Sequence, residues 1–558
     1  MKKQLFKLIL FIFPIITFAQ ANWNRDVEVT SPRENIYQLS PEMLSKTVME
    51  GRKHALFYPV TVSELRIPYE PLKNFFESKP NDPVRELLYR LTQTVSPFKS
   101  MDEVYKWLGL HDFPTEIQAE TPNAFPVLTA REKELPMGAT LMETPDGVAL
   151  TFGCAACHTS DLFGVKVLGL TNRFPRANEF FRRGAMLAPY VNTFVFRDLL
   201  HATEGERQIL VKAKHNLKYV GVREPISVGL DTSLAQVALS LSKREQDAYA
   251  SRTERSLRHP RPNALEKKAA DSKPAVWWNV KYKNRWLSDG SIVAGNPVHT
   301  NFLWNEIGRG TDLHELEVWL KSNTKTIEAL TAAVFATKPP RYEKFFGENA
   351  IDIAMAQRGQ KHYVQSCQRC HGTYEKGWDL PGAKALSKTE LIQNVKVTYH
   401  KKTPVRDVGT DPGRYLGMNA FAADLNRLAI SKTIGTVVEP QKGYVPPPLD
   451  GIWARWPYFH NNSAPNLCAV LTRGSERPKT YVAGPAKSKT RDFDQDCVGY
   501  PLGAKAPAEW KKDPDFLYDS RKEGLSNLGH DEKIFLKDGQ EIYSQSEKRE
   551  LVEFLKTL

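Results

Sequence analysis

Cysteine is scarce in this chain, which has six cysteines among 558 residues. So few thiols exclude a disulfide-built scaffold, the architecture of small secreted domains that are dense in cystine. Beyond its first residues the chain also lacks an uninterrupted apolar stretch of about 20 residues, so no stable membrane span is predicted there. Apolar residues make up 41% of the chain, which is enough for packed cores and excludes a wholly disordered chain.

The N-terminal segment has the pattern of a cleaved signal peptide. A basic start, residues 1–7, precedes an apolar run, residues 8–18, and Ala19-Gln20-Ala21 is a small-x-small cleavage site. The apolar run is short for a spanning helix, so a retained anchor is the less favoured alternative. No cysteine lies near the cleavage point, which excludes a lipoprotein. We predict a signal peptide over residues 1–21 and a soluble mature protein that is periplasmic or secreted.

The formal net charge is +13, with 77 basic and 64 acidic residues. A positive surface can indicate nucleic acid or acidic partners. Here the basic residues are dispersed and mixed with acidic ones, and an exported protein rarely meets nucleic acid. We therefore predict no nucleic-acid partner.

Four of the six cysteines fall in two C-x-x-C-H motifs, each ending in a histidine: Cys154, Cys157 and His158, and Cys367, Cys370 and His371. Two thiols at this spacing can each add to a vinyl group of one haem, and the adjacent histidine then reaches the iron as its proximal ligand. The alternatives are redox dithiols and half zinc sites, and each zinc site would need two further ligands. We predict two covalently bound c-type haems, each with its iron.

The last two cysteines, Cys468 and Cys497, enclose a loop rich in Gly, Pro, Lys and Asp. In an oxidising compartment their simplest state is one disulfide, which stabilises by about 3–4 kcal/mol on the chain-entropy model. Two free buried thiols are the alternative.

Helical patterns flank the second motif. Residues 351–364 form a helix candidate that would deliver the cysteines from its end. Residues 551, 555 and 558 are leucines on one helical face near the chain end, with Ser544 and Glu547 as the capping box. A helix before the motif and another at the chain end are what a cytochrome c domain requires.

The predicted protein is mainly α, with long loops and no extensive sheet. It has two cytochrome c-like haem domains, residues 136–345 and 346–558, with Pro339-Pro340 as the hinge between them. An N-terminal extension, residues 22–135, carries many prolines and short helical patterns, and we expect it to wrap the first haem domain.

Together with the two motifs, several segments resemble bacterial dihaem cytochrome c peroxidases and their relatives, the dihaem rubber oxygenases. Residues 451–467 contain the superfamily segment P-Y-[FL]-H-[DN]-G-S, with Asn462 in place of its glycine. Residues 273–291 look closer to the rubber-oxygenase branch, and residues 524–530 are similar to its G-N-S-N-x-G-H block. The resemblance covers roughly residues 136–558.

The resemblance implies different ligands for the two irons. In the peroxidases a methionine after the Y-F-H segment usually ligates the second haem, but this chain has no methionine after Met418. The rubber-oxygenase pattern instead implies His530 as the second axial ligand beside His371. No histidine follows His158 closely, where many of the peroxidases carry a displaceable ligand. The resemblance therefore implies an open distal side at the first haem, unless a remote residue such as His299 reaches the iron.

The resemblance also points to residues around the haems. Trp277 and Trp278 match positions where the rubber-oxygenase branch has aromatic residues near the active haem, and core packing is the alternative. Arg358 and Arg455 are candidates for pairing with haem propionates, with ordinary surface positions as the alternative. Glu306 is an acid–base candidate that no motif supports.

The predicted function is that of a haem-dependent oxidoreductase. The first haem activates dioxygen or hydrogen peroxide, and the second supplies or stores electrons. A rubber oxygenase-like enzyme is favoured, and the alternatives are a hydrogen-peroxide-reducing cytochrome c peroxidase and a non-catalytic dihaem electron carrier. Besides dioxygen or peroxide, the expected partners are a small redox protein or an apolar polymer substrate.

Overall fold

The computed structural model describes residues 21–57, 66–77, 97–129 and 134–558, and the single residues 83, 86, 90 and 132. The predicted signal peptide lies outside the described residues except for Ala21. Within the described ranges, no helix is both long enough and apolar enough to cross a membrane.

The described part of the chain is rich in helices joined by long loops. The helices are α1 Pro41–Phe57, α2 Tyr69–Glu77, α3 Met101–Trp107, α4 Ala177–Leu187, α5 Thr193–Leu199, α6 Glu204–Lys218, α7 Ser233–Ser242, α8 Glu254–Arg258, α9 Pro297–Gly308, α10 Leu313–Ser322, α11 Thr324–Phe335, α12 Tyr342–Phe346, α13 Ile353–Ser366, α14 Gln368–His371, α15 Lys388–Ile392, α16 Gly413–Gly417, α17 Ala422–Arg427, α18 Ala429–Thr433, α19 Leu467–Val470 and α20 Gln545–Lys556. The predictions of a helix-rich fold and of long loops are confirmed.

The strands are short and form small antiparallel sheets. They are β1 Ile67–Pro68, β2 Ala139–Thr144, β3 Gly147–Phe152, β4 Thr159–Leu162, β5 Val165–Leu168, β6 Ile292–Ala294, β7 Thr373–Lys376, β8 Asn394–Thr398, β9 Val437–Val438, β10 Thr480–Val482, β11 Leu517–Asp519, β12 Leu536–Lys537 and β13 Gln540–Glu541. One sheet has the order β1-β3-β2, and the others are the pairs β4-β5, β6-β9, β7-β8, β10-β11 and β12-β13. The hairpins β2-β3 and β4-β5 enclose the first C-x-x-C-H motif, so this motif follows a strand rather than a long helix.

Helices α13 and α20 cross closely beside the second motif. A Cβ atom on Gly359 would lie 1.9 Å from the Glu550 carbonyl oxygen, so the crossing requires a residue without a side chain. Helix α13 ends directly before the second motif, as predicted. The capping box of Ser544 and Glu547 at the start of α20 is confirmed.

Helices α1 and α11 make a matching crossing in the first half of the molecule. A Cβ atom on Gly51 would lie 1.9 Å from the Ala329 carbonyl oxygen and 2.8 Å from the Ala333 Cβ atom. Helix α1 also contacts the 3₁₀ turn Cys154–Ala156, which carries the first cysteine of the first motif. Helix α1 therefore contacts the first motif, as α13 contacts the second, although α1 lies far upstream of the first motif in the sequence.

Two large buried clusters form the interior. The first contains Trp278, Tyr363, Trp453 and Phe554, and the second contains residue 277 together with Phe302, Phe335 and Met418 among others. Each cluster contains residues from both sides of position 345, the predicted boundary between the two haem domains. Neither core is therefore confined to one predicted domain. The division into two haem domains at this position stays a proposal.

Replacing Gly359 with alanine is expected to lower the free energy of unfolding by about 1–3 kcal/mol. The new methyl group would overlap the Glu550 carbonyl and force α13 away from α20. Gly184→Ala in α4 is the matched control, because the nearest atom to its Cβ would be Leu217 Cδ2 at 3.9 Å. Thermal unfolding followed by far-ultraviolet circular dichroism measures both variants. Equal melting temperatures would contradict this reading of the crossing.

Candidate haem-binding site

One cavity of about 990 Å³ connects the two C-x-x-C-H motifs. All four motif cysteines and both motif histidines line it, and none of these four cysteines forms a disulfide. Cys468 and Cys497 instead form a disulfide with a Cα–Cα distance of 5.0 Å, which confirms the predicted pairing. The fold thus brings motifs that are distant in sequence to one internal space.

Backbone carbonyl groups hold the two motif histidines in the same way. His158 Nδ1 lies 3.0 Å from the Ala275 carbonyl oxygen, and His371 Nδ1 lies 2.8 Å from the Pro447 carbonyl oxygen. Because a carbonyl oxygen only accepts, Nδ1 is the protonated nitrogen and Nε2 keeps its lone pair. Burial lowers the pKa of each histidine to about 4, so both rings are neutral. This arrangement is typical of histidines that bind a metal ion.

His530 faces His371 across the cavity. The two ring centroids lie 6.3 Å apart with an angle of 58° between the ring planes. A metal ion held about 2 Å from one nitrogen of each imidazole puts the two centroids about 6 Å apart. The pair therefore leaves a gap of the size that an iron atom with two histidine ligands requires.

The first motif has no such opposing histidine in the part of the chain that the structure describes. The ring in contact with His158 is that of Trp277, with centroids 5.5 Å apart. His299, which the sequence left open as a ligand, does not line the cavity, and neither does Met418. Met418 is fully buried in the second cluster. The structure thus distinguishes the surroundings of His158 from those of His371.

Apolar side chains form the cavity wall beside the first motif. This wall consists of Leu108, Leu110, Phe152, Phe180 and Phe181. The Phe152 and Phe180 rings pack edge to face with centroids 5.3 Å apart. None of these side chains carries a proton donor or a charge, so this wall suits an apolar ligand.

The adjacent tryptophans Trp277 and Trp278 face different surroundings. Trp277 lines the cavity beside His158. Trp278 is fully buried away from the cavity lining, and its Nε1 donates a hydrogen bond of 2.8 Å to the Asp450 carbonyl oxygen. Only the first of the pair is placed to act on a ligand in the cavity.

Arginines supply positive charge to the cavity. Arg455 lines it and donates to the Pro448 carbonyl oxygen at 2.9 Å. Arg414 also lines it, is 5% exposed, and its Nε has no hydrogen-bond partner among the described residues. A buried guanidinium nitrogen without a hydrogen-bond partner is costly, and a carboxylate such as a haem propionate can accept from it. Arg358 instead pairs with Glu550 at the surface, as its alternative interpretation had it.

Two further residues, Glu306 and His460, are held by contacts within the fold. Glu306 is fully buried, accepts a 2.6 Å hydrogen bond from Thr311 Oγ1, and does not line the cavity. His460 lines the cavity with its ring stacked on Tyr444 at 3.9 Å. Its carbonyl oxygen accepts a 2.8 Å hydrogen bond from the Lys273 amide, which joins the two loops.

Sequence reasoning missed Arg414 and the half-buried, cavity-lining carboxyl group of Asp231. Burial raises the pKa of Asp231 above the usual range for a carboxyl group. Neither residue lies in a recognisable motif, and both are distant in sequence from the cysteines. No local signal marked them, because only the fold brings them to the cavity.

Residues 443–482 match a family described as RoxA-like, cytochrome c-like. This segment of the chain is similar to that family. The segment includes the Y-F-H residues and Cys468, and it supports a haem-based redox function. It borders the cavity through residues such as Tyr444, Arg455 and His460.

Two relatives come from Sinorhizobium fredii (strain NBRC 101917 / NGR234). An uncharacterized protein, y4iJ, is 24% identical over 552 residues, which cover 81% of this chain and 88% of y4iJ. A second uncharacterized protein, y4iM, is 28% identical over 228 residues, which cover 37% of this chain and 49% of y4iM. The similarity to y4iJ extends over most of both proteins, well beyond the RoxA-like segment.

Proposed function

We propose that this protein is an exported dihaem c-type cytochrome that acts as a rubber oxygenase-like oxidoreductase. Haem one is attached at residues 154–158 and haem two at residues 367–371, with His530 as the second axial ligand of haem two. A haem with an open axial position binds dioxygen or peroxide, whereas a haem with two protein ligands transfers electrons. The observation that carries the proposal is the asymmetry between His158 and His371, since His530 opposes only the latter among the described histidines.

The surrounding residues have separate tasks in this proposal. The Ala275 and Pro447 carbonyl groups fix the motif histidines, and Arg414 and Arg455 offer partners to propionates. The apolar wall beside the first motif suits an apolar polymer better than a charged substrate. Glu306, the acid–base candidate that a peroxidase would use, does not line the cavity. These features favour an oxygenase over a peroxidase.

A paired assay on the purified holoprotein tests this function. We expect cleavage of polyisoprene with uptake of dioxygen and without added peroxide or reductant. Consumption of hydrogen peroxide with a reduced donor, and no oxygen uptake on polyisoprene, would identify a peroxidase instead. Inactivity in both assays, with full haem content, would support the electron carrier.

A matched pair of tryptophan variants separates a site role from a packing role. Trp277→Phe is expected to lower oxygen uptake on polyisoprene while the melting temperature changes little, because Trp277 lines the cavity beside His158. Trp278→Phe is expected to lower the free energy of unfolding by about 1–3 kcal/mol, because it leaves the Asp450 carbonyl without its donor. The activity of Trp278→Phe per folded molecule should equal that of the wild type. Full activity in Trp277→Phe would remove this residue from the proposed site.

A further inference from the structure

Arg477 is a buried arginine that joins two separate chain segments through backbone carbonyl groups. It is 2% exposed, and its Nε donates to the carbonyl oxygens of Ala469 and Thr472, both at 2.9 Å. Its Nη1 donates to the carbonyl oxygens of Asn527 and Gly529, the latter at 2.7 Å. The first two carbonyl groups lie in and just after α19, and the other two lie directly before the proposed axial ligand.

The segment on the α19 side is itself firmly anchored. Cys468 in α19 is bonded to Cys497, and the Leu467 amide donates to the Cys497 carbonyl oxygen at 2.8 Å. Arg477 therefore connects the loop before position 530 to a part of the fold that a covalent bond fixes.

The loop that carries His530 depends on such tertiary bonds, because it belongs to no helix or strand. His530 has a φ of +55°, in the left-handed region, and its amide donates to the Val408 carbonyl oxygen at 2.7 Å. The Arg477 guanidinium carbon also lies 5.1 Å from the centre of the Phe459 ring, and this ring lies 5.5 Å from the His530 ring. Arg477 thus supports both the backbone before His530 and a ring that packs against it.

We propose that Arg477 is a positioning residue that holds His530 at iron-binding distance from His371. This inference rests on the proposed function, in which His530 is the second axial ligand of haem two. The planar guanidinium group carries donors in a fixed fork that reaches both segments at once, whereas the ammonium group of lysine is a compact point charge. Geometry, and not charge alone, is therefore what position 477 supplies.

The test compares Arg477→Lys and Arg477→Gln with Arg244→Lys in the full haem-loaded protein. Arg244 is a matched control because it is 1% exposed and donates to the carbonyl oxygens of Thr311, at 2.9 Å, and Ile307, at 3.2 Å, away from the cavity lining. We expect both Arg477 variants to lose the low-spin signal of haem two in the oxidised state and to bind more than one carbon monoxide when reduced. Free imidazole should restore a low-spin signal at haem two. Arg244→Lys should lower the melting temperature and keep the wild-type spectrum.

Asn527→Ala is a smaller perturbation of the same loop, since it removes only the 2.9 Å hydrogen bond from Asn527 Nδ2 to the Pro478 carbonyl oxygen. It should increase carbon monoxide binding in the same direction, because the Asn527 side chain holds the same loop. A wild-type spectrum in Arg477→Lys, or in Arg477→Gln where the former does not fold, overturns the inference. His530→Ala separates the two proposals. If this variant still binds one carbon monoxide, the axial assignment has failed, whereas if it binds two and Arg477→Lys binds one, only the positioning role has failed.

Discussion

Replacing Cys154 and Cys157 with serine is expected to give a protein with one covalent haem and no oxygen uptake on polyisoprene. A serine hydroxyl does not form the thioether that a cysteine forms with a haem vinyl group, so the first haem is not retained covalently. In the proposed function this haem is the one that binds dioxygen, and its loss removes the reaction. The intact mass of the denatured protein, together with its alkaline pyridine spectrum, counts the covalent haems.

The cysteine pairs provide their own controls. Cys367→Ser with Cys370→Ser should also remove one covalent haem, but the remaining haem should still bind carbon monoxide when reduced. Replacing the disulfide cysteines, Cys468 and Cys497, should leave the number of covalent haems at the wild-type value. Full activity in the Cys154/Cys157 variant would contradict the assignment of the reaction to the first motif.

Replacing His530 with alanine is expected to open the second iron. The oxidised protein should lose its low-spin haem signal, and the reduced protein should bind two molecules of carbon monoxide instead of one. The physical reason is the 6.3 Å separation of the His371 and His530 rings, which suits two axial bonds to one iron. Electron paramagnetic resonance of the oxidised state and carbon monoxide titration of the reduced state measure the change.

His299→Ala is the matched control for this variant. Burial lowers the pKa of His299 to about 4, and burial likewise lowers the pKa of His530 to about 3, so both rings are neutral. Only His530 lines the cavity. A spectrum of His530→Ala identical to that of the wild type would show that another group ligates the second iron.

Local features of the sequence allowed much of the second half to be predicted. Helix α13 before Cys367, the capping box at Ser544 and the disulfide of Cys468 each rest on residues that are close in sequence or are few enough to pair. Such features can be predicted from the sequence because helix capping and covalent bonding act at short range.

Packing between segments that are distant in sequence was not predicted. The crossing of α1 and α11 at Gly51 joins segments far apart in sequence, and no motif in the N-terminal extension indicated it. Trp277 and Trp278 lie in different surroundings for a geometric reason. They begin the 3₁₀ helix Trp277–Tyr282, in which neighbouring side chains point about 120° apart, so adjacent residues enter different cores. Arg414 and Arg477 were missed because their partners are backbone carbonyl groups or an internal space that only the folded chain forms.

Titration of the fully reduced protein with carbon monoxide counts the irons that have an open axial position. We predict two covalent haems and binding of one carbon monoxide, because the first iron has a free face and His530 closes the second. Binding of none would show that both irons are closed and that the protein is an electron carrier. Binding of two would show that His530 does not hold the second iron.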